Sequence, residues 1–418
     1  MEKNISCDVA VIGGGIAGVS AAVGARKAGA KVLLIERSPY LGGEATHCGV
    51  GAFCGFYTCG GNPVKVVSGV GDLVLNEMQA LGIGYDEIIS ATGNKNINFR
   101  QEYLKCALDH LMAKENVEFL CHASVIGTVQ DERQIRAIHC MDDDGYFTVS
   151  AKCFVDASGD ANLTRMAGAR TSWADGGQVQ AATLTFRMSG VDTSKDMTPT
   201  AVEKAIVKAK QEGIPHLTKE KGFILRTSAS DIVTVLLPSV FPENLSAPEL
   251  TRLEVETRDQ VLNYVKALKK YMPGMENADL AVMGPSIGFR ETRKIIGRET
   301  IVAQDLLTSR KRENGVARGG WTPEIHKNLN KMGTYVKLPE NNYFDIPLGA
   351  LQSADFDNLY AAGRMISADE TALASVRVMG TCFATGHAAG VAAAVQAKSG
   401  TADAQAIRAE LTAQGALV

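Results

Sequence analysis

Two apolar spacings alternate along this chain. Asp8-Val9-Ala10-Val11-Ile12 is a short unbroken apolar run of the kind that forms a strand buried on both faces, and Lys31-Val32-Leu33-Leu34-Ile35 repeats it. Between them the pattern becomes helical, from about Val19 to Ala28, and stops at Gly29. Strand, helix and strand in that order predict a unit with parallel strands. Two further helices are predicted at about Pro63 to Leu81 and Phe99 to Lys114, the second with Tyr103, Ala107, Leu108 and Leu111 on one face. Asn116 to Asp156 reads as short strands with a turn at Asp142-Asp143-Asp144-Gly145.

The texture then changes. Gln180 to Met188 and Phe223 to Leu237 alternate as antiparallel strands do, and helical stretches lie at about Pro199 to Gln211 and Ala247 to Tyr271. Near the end, Ala384 to Gln396 is a helix rich in small residues, including Gly386, Ala388, Ala389 and Gly390, which suits close packing. The pattern predicts an α/β fold in two domains, the first assembled from residues 1–170 and 340–418 and the second an α+β insert at 171–339.

The junction after the first strand carries the most specific chemistry. Gly13-Gly14-Gly15-Ile16-Ala17-Gly18 satisfies G-x-G-x-x-G at Gly13, Gly15 and Gly18. The first glycine permits the tight turn, the second lets backbone approach a pyrophosphate, and the third brings helix against strand. Free N–H groups at the helix start, including those near Ile16 and Ala17, favour phosphate. Glu36 closes the second strand, where a carboxylate accepts from ribose hydroxyls and disfavours a 2′-phosphate. With its strands, helix and acid in place, the fingerprint indicates a Rossmann-like dinucleotide site, without separating NAD from FAD.

Composition narrows the classes. Lys+Arg total 43 and Asp+Glu 46, a formal charge of −3 on 418 residues, with no Lys/Arg-rich run, so a nucleic-acid partner is not expected. No apolar run has the length of a bilayer span, and no secretory leader is visible, so a cytoplasmic location is expected. The nine cysteines are odd in number and form no C-x-x-C pair, which predicts reduced thiols and no zinc or iron–sulfur site.

Arg37-Ser38-Pro39-Tyr40-Leu41-Gly42-Gly43-Glu44-Ala45-Thr46 resembles the E-R-x-x-x-x-G-G segment of the glutathione-reductase-like FAD superfamily. Cys153-Phe154-Val155-Asp156-Ala157-Ser158-Gly159-Asp160 resembles its second motif, usually A-T/S-G-D, and Asp357-Asn358-Leu359-Tyr360-Ala361-Ala362-Gly363-Arg364 its L-Y-A-A-G strand-turn. Gly284 to Gly297, with Gly288, Arg290, Arg293 and Gly297, is similar to the G-x-R-x-x-R-x-I-x-G stretch of the FAD-dependent oxidoreductase group within it, on its fumarate-reductase-like side, and Gly51 to Tyr57 matches that group's F-x-G-F/Y segment.

The resemblance implies one FAD in a Rossmann-like domain of parallel sheet plus β-meander, with an inserted α+β cap over it. It assigns Gly13, Gly15, Ile16, Ala17, Gly18, Glu36, Arg37, Gly43, Glu44, Ala45, Thr46, Val125, Ala157, Ser158, Gly159, Asp160, Gly363, Arg364, Asp369, Gly380 and Thr381 to the cofactor. No second G-x-G-x-x-G follows a strand, so a separate nicotinamide domain is not expected.

For chemistry the candidates are Arg290, Arg377, Tyr343, His47, Cys48 and Tyr57. An arginine near the ring binds a substrate carboxylate bidentately or steadies an anionic intermediate, and a packed salt bridge to Glu291 or Asp345 is the plain alternative for Arg290 or Arg293. The loop from His47 to Cys59 allows pocket lining, a Cys54–Cys59 redox pair, covalent flavin attachment through His47 or Cys48, or plain space filling. His387 reads as packed rather than catalytic, and Tyr343 as an acid–base candidate or a packed aromatic. The expectation is hydride transfer between a small polar substrate, such as a carboxylate, and FAD, of dehydrogenase or oxidase type. Reduction of an activated C=C bond and an electron-transfer subunit are the alternatives. The partners envisaged are a small-molecule substrate, with an electron-acceptor protein or a second copy of the chain left open.

Overall fold

A computed structural model describes residues 3–82, 84–89, 93–173, 178–228 and 230–418. Ala229, within the predicted alternation Phe223 to Leu237, and the first two residues lie outside the described residues. The first predicted unit forms as strand Lys3–Ile12, helix Ile16–Lys27 and strand Val32–Ile35. The two strands pair in parallel, Val9 opposite Val32 and Ile12 opposite Ile35.

Strand Gly145–Asp156 organises the sheet because its two halves have different partners. Its first half pairs antiparallel with Gln134–Asp142, which pairs with Ser124–Asp131 to make a meander. Its second half pairs in parallel with Leu359–Ala361 from the end of the chain, while Lys3–Ile12 runs parallel along its other side. Glu118–Leu120 closes the far edge beside Val32–Ile35. The strands here are longer than predicted, because the alternating outer face of the meander carries polar residues that a short-run reading discounts.

The helix Met379–Ser399 is longer than its predicted core of Ala384 to Gln396. It lies across the first helix so closely that a methyl group on Gly386 or Gly390 would overlap the carbonyl oxygens of Ala17 and Ala21. The helix predicted from Pro63 begins only at Val70. Residues before it stay extended, since the Val66 N–H is committed to the Phe56 carbonyl at 2.8 Å and Lys65 bridges Tyr57.

The insert has its own core. Antiparallel strands run in the order Phe223–Leu225, Val233–Leu236, Phe186–Ser189, Asp279–Met283, with helices Pro199–Gln211 and Ala247–Tyr271 against them. Its buried cluster extends from Ala182 to Ile287, whereas Ile301, Leu306, Val316 and Ala317 pack into the core of the first domain. Among the described residues no single helix is long and apolar enough to cross a membrane. The bent pair Glu370–Val376 and Met379–Ser399 passes that test only together, and its longer helix is core. All nine cysteines are free thiols.

Candidate active site

The opening turn has the close-packed backbone geometry that a diphosphate needs. Gly13 has φ +100°, and a Cβ there would lie 2.5 Å from the Ala157 carbonyl oxygen. A Cβ on Gly18 would overlap the Gly13 carbonyl, so helix and turn close only with glycine at both positions. Gly15 caps the helix without any side-chain hydrogen bond, leaving first-turn N–H groups for a ligand. Glu36 is buried and fixed by the N–H of Gly14 at 2.5 Å and of Ser38 at 2.7 Å. Gly42 donates to the Gly14 carbonyl at 2.8 Å, which draws the second glycine pair against the first turn, and Gly43 would carry its Cβ 2.9 Å from the Gly15 Cα. Ala45 and Thr46 are buried just beyond, with the Thr46 hydroxyl on the Leu41 carbonyl at 2.6 Å, and Arg37 is exposed.

Arg364 ties three separated segments together. Its Nη1 donates to Glu44 at 2.7 Å and its Nη2 to Asp160 at 2.7 Å. Burial works against its charge, but the carboxylates of Asp160 and Glu44 outweigh that and hold it more firmly protonated than a free guanidinium. Glu44 also accepts from the N–H of Phe289 at 3.2 Å, which brings the Gly284–Gly297 segment onto the Rossmann-like side. Ala157 and Ser158 shape the turn around buried Asp156, which accepts the Ser158 hydroxyl at 2.6 Å, and Gly159 faces the Arg364 guanidinium.

Several buried polar atoms around these segments have no partner among the described residues: Arg364 Nε, Thr381 Oγ1, His47 Nδ1, Arg377 Nε, Gln180 Nε2 and Trp321 Nε1. Orphaned buried donors cost free energy unless a ligand satisfies them. Together with the glycine cradle they fit FAD, whose phosphates, ribityl hydroxyls and ring edge offer acceptors for such donors. The comparison with family models decides the matter, matching residues 8–414 to "FAD dependent oxidoreductase". The chain belongs to the FAD-dependent oxidoreductase family. FAD is its cofactor, and its fold is the Rossmann-like fold of flavoprotein oxidoreductases.

Solved structures agree on the fold. A geranylgeranyl bacteriochlorophyll reductase-like protein from Thermoplasma acidophilum is 14% identical over 98% of this chain and 83% of that one, with TM-score 0.51. BexE, studied for oxidation during BE-7585A biosynthesis, is 12% identical over 98% of this chain and 66% of that one, with TM-score 0.50. No curated protein sequence matches the chain.

Beside the FAD segments of this oxidoreductase lies a cluster of charged groups. Arg290 Nη1 donates to the Ala181 carbonyl at 2.6 Å. Neither Glu291 nor Asp345 pairs with it. Glu291 accepts from the N–H of Gln180, and Asp345 from the N–H of Arg312. Arg377 Nη2 donates to the Glu324 carbonyl at 2.8 Å and to Gln180 at 3.4 Å. The Glu324 carboxylate accepts from His326 Nε2 at 3.0 Å and from the Tyr335 hydroxyl at 2.9 Å. Glu324 and Tyr335 come from a two-stranded hairpin, Glu324–Ile325 against Thr334–Tyr335.

Burial raises the Glu324 carboxyl, but His326, Arg377 and Arg290 outweigh it and keep the group ionised well below the usual carboxylate range. Burial, and next the charge of Arg290, push His326 down to about 3. Its ring is therefore neutral, with the N–H on Nε2 toward Glu324 and a lone pair on Nδ1. Burial and then Arg377 lower Arg290 to about 10. Burial likewise lowers Arg377, against the pull of Glu324.

Of the other candidates, Tyr343 and Tyr57 fall outside this cluster, and Cys48 and His47 lie beside Glu44. Tyr343 lies under Lys311, at 3.2 Å from its ring centroid, and Arg318, at 4.4 Å, outside this cluster. The Tyr57 hydroxyl donates to Glu87 at 2.8 Å and its ring faces Lys95. Cys48 packs against the Ile287 carbonyl at 3.4 Å, and burial with Glu44 pushes its thiol well up, which disfavours a thiolate nucleophile. Burial pushes Cys54 up to about 12 and also raises Cys59, so neither is poised for exchange as the redox-pair reading requires. His47 is partly buried and its basicity lowered by burial and then Arg37. Arg293 does not ion-pair within the insert; it reaches the first domain at Asp160 O, 2.8 Å, and Asn162, 2.5 Å.

Asp369 caps the helix Glu370–Val376 through Ala372 N at 2.8 Å and also accepts from Ala303 N at 2.7 Å, so both its oxygens are spent on the fold. Gly380 packs on the Cys54 carbonyl, Gly363 accepts no side chain because Ala17 is close, and Val125 lies partly buried in the meander. His387 is buried on Gln414 at 2.7 Å.

Glu324, His326 and Tyr335 carried no spacing signal. Trp321-Thr322-Pro323-Glu324-Ile325-His326 has neither helical nor alternating periodicity, and only Gly319-Gly320 before it hints at close backbone packing.

Proposed function

We propose that this FAD-dependent oxidoreductase dehydrogenates a small substrate bearing a carboxylate next to the carbon that loses hydride, a 2-hydroxy or 2-amino acid. The observation that supports this is a pair of buried guanidiniums, Arg290 and Arg377, that meet at Glu324. Burial lowers both arginines, repulsion by Arg377 lowers Arg290 further, and Glu324 attracts both. An anionic ligand relieves that repulsion, and guanidinium forks hold a carboxylate with two hydrogen bonds each.

FAD, when bound, supplies the two-electron acceptor. The chain's own residues bind, orient and shield. Arg290 and Arg377 fix the carboxylate. The Ala181 and Glu324 carbonyls hold Arg290 and Arg377, the Glu324 carboxylate fixes the His326 ring, and burial of these groups shields the site from water. A C=C bond conjugated to a carboxylate suits the same arginines in the reverse sense. The lowering of Arg290 to about 10 favours that reading, since a less basic guanidinium is a better proton donor.

The test is anaerobic titration of the yellow holoprotein with C3 to C6 2-hydroxy and 2-amino acids and with their neutral amides. Carboxylates are expected to bleach the flavin and amides are not. Arg290→Met and Arg377→Met should each weaken carboxylate binding about 100-fold, the scale of a lost charge-assisted pair. Equal bleaching by the amides overturns the proposal; reoxidation of dithionite-reduced protein by an unsaturated acid alone selects the C=C reading.

A further inference from the structure

Lys219 belongs to the insert, in the connection between helix Pro199–Gln211 and strand Phe223–Leu225. Its backbone is held on both sides. The N–H donates to the Tyr264 hydroxyl at 2.6 Å, and that hydroxyl donates to the Lys219 carbonyl at 2.8 Å, which locks the loop to the long helix Ala247–Tyr271. The next residue, Glu220, donates its N–H to the Asn330 carbonyl at 3.1 Å, between the two strands of the Glu324–Tyr335 hairpin. The side chain is 6% exposed. Among the described residues no acceptor hydrogen-bonds its amine.

Its charged neighbours do not supply a partner. Arg290 repels an ammonium there, and Glu324 attracts it from a distance while serving His326 and Tyr335. Glu220 and Lys221, on the same strand of chain, are engaged with Lys210 and Glu203. A buried ammonium without a carboxylate is costly, so the fold favours the neutral amine, and a neutral amine has one free lone pair.

We infer that Lys219 is the proton acceptor of the oxidation. As the C–H of the substrate leaves with its electron pair for the bound FAD, the hydroxyl or amino hydrogen passes to the Lys219 Nζ lone pair. The C–O or C–N bond becomes C=O or C=N, and the amine becomes an ammonium whose charge is balanced by the substrate carboxylate between Arg290 and Arg377. Burial, and then Arg290, lower this lysine to about 7, which matches a base working near neutrality. The inference rests on the reading of the site as a carboxylate dehydrogenase.

Two measurements test it. The first needs no substrate: in holoprotein labelled at lysine Cε with carbon-13, the resonance lost in Lys219→Arg is titrated by NMR. A midpoint below 9 supports the inference, and one at 9 or above overturns it. The second follows flavin reduction by the best acid of the titration panel between pH 5.5 and 9. Wild type should lose rate below about pH 7, and Lys219→Met should be at least about 100-fold slower at pH 8, without that limb and with carboxylate affinity retained. Lys219→Arg should be as slow, because it keeps charge but accepts no proton. Lys219→Met should also melt at a higher temperature than wild type, as a buried amine held only for structure would not. Retained rate and limb in Lys219→Met overturn the inference while leaving the dehydrogenase reading intact. Failure of every acid in the panel overturns the dehydrogenase reading itself.

Discussion

Arg364 offers the most direct test of how the two ends of the chain make one site. It bridges Glu44, from the segment after the second strand, and Asp160, from the end of the meander, at 2.7 Å each. The three side chains are only 14%, 25% and 15% exposed, so water screens the pairs weakly. Replacing Arg364 by Met keeps the length of the stem and removes the charge. At an effective dielectric of about 20, each pair attracts by about 4 kcal/mol at roughly 4 Å, offset by the cost of desolvating the guanidinium. What remains in the variant is two carboxylates facing one another without a cation. The expected loss is about 3–5 kcal/mol, the range for breaking a buried pair from one side. Urea unfolding of holoprotein at pH 7.5, followed by flavin fluorescence and circular dichroism, measures it. A double variant that adds Glu44→Gln should recover part of the loss, since it removes one of the orphaned charges. A loss below about 1 kcal/mol, or no recovery in the double variant, would refute the idea that the bridge is desolvated.

Three further outcomes follow from the same structure. Gly18→Ala should yield colourless protein with weak FAD uptake in a fluorescence titration, because the added methyl overlaps the Gly13 carbonyl and pushes the phosphate turn off the helix. Gly390→Ala should lower stability by about 1–3 kcal/mol in scanning calorimetry, with the flavin site intact, since it wedges the two long helices apart at Ala21. Finally, burial holds His387 down at about 4 and His326 at about 3, so the fold binds their neutral forms. Their contribution is complete above the unfolded value near 6.5 and is lost as pH falls from there toward 4, costing about 3 kcal/mol at His387 alone. Urea midpoints should therefore fall between pH 7.5 and 5, and His387→Gln should flatten that fall.

The sequence by itself determined the cofactor half of this protein. Gly13 and Gly18 act through backbone geometry and Glu36 through a carboxylate fixed on the neighbouring N–H groups of Gly14 and Ser38, all within a few dozen residues, so their spacing already specifies the turn and the helix start. Local periodicity likewise placed Ala247–Tyr271 and Pro199–Gln211 within the chain. The extended start at Pro63 escaped it, because what keeps Val66 out of a helix is a hydrogen bond to Phe56 that no hydrophobic pattern records. Tyr343 and Tyr57 were chosen by type and position, and only the tertiary structure showed both of them engaged with surface cations.

The charged cluster was decided by the fold alone. Gln180, Lys219, Arg290, Glu324 and Arg377 are drawn from five distant stretches of chain, and nothing local marks them as neighbours. The altered ionisation of Lys219, Arg290, Glu324 and Arg377 depends on burial and on neighbouring charge, and both quantities exist only once the distant segments have packed together.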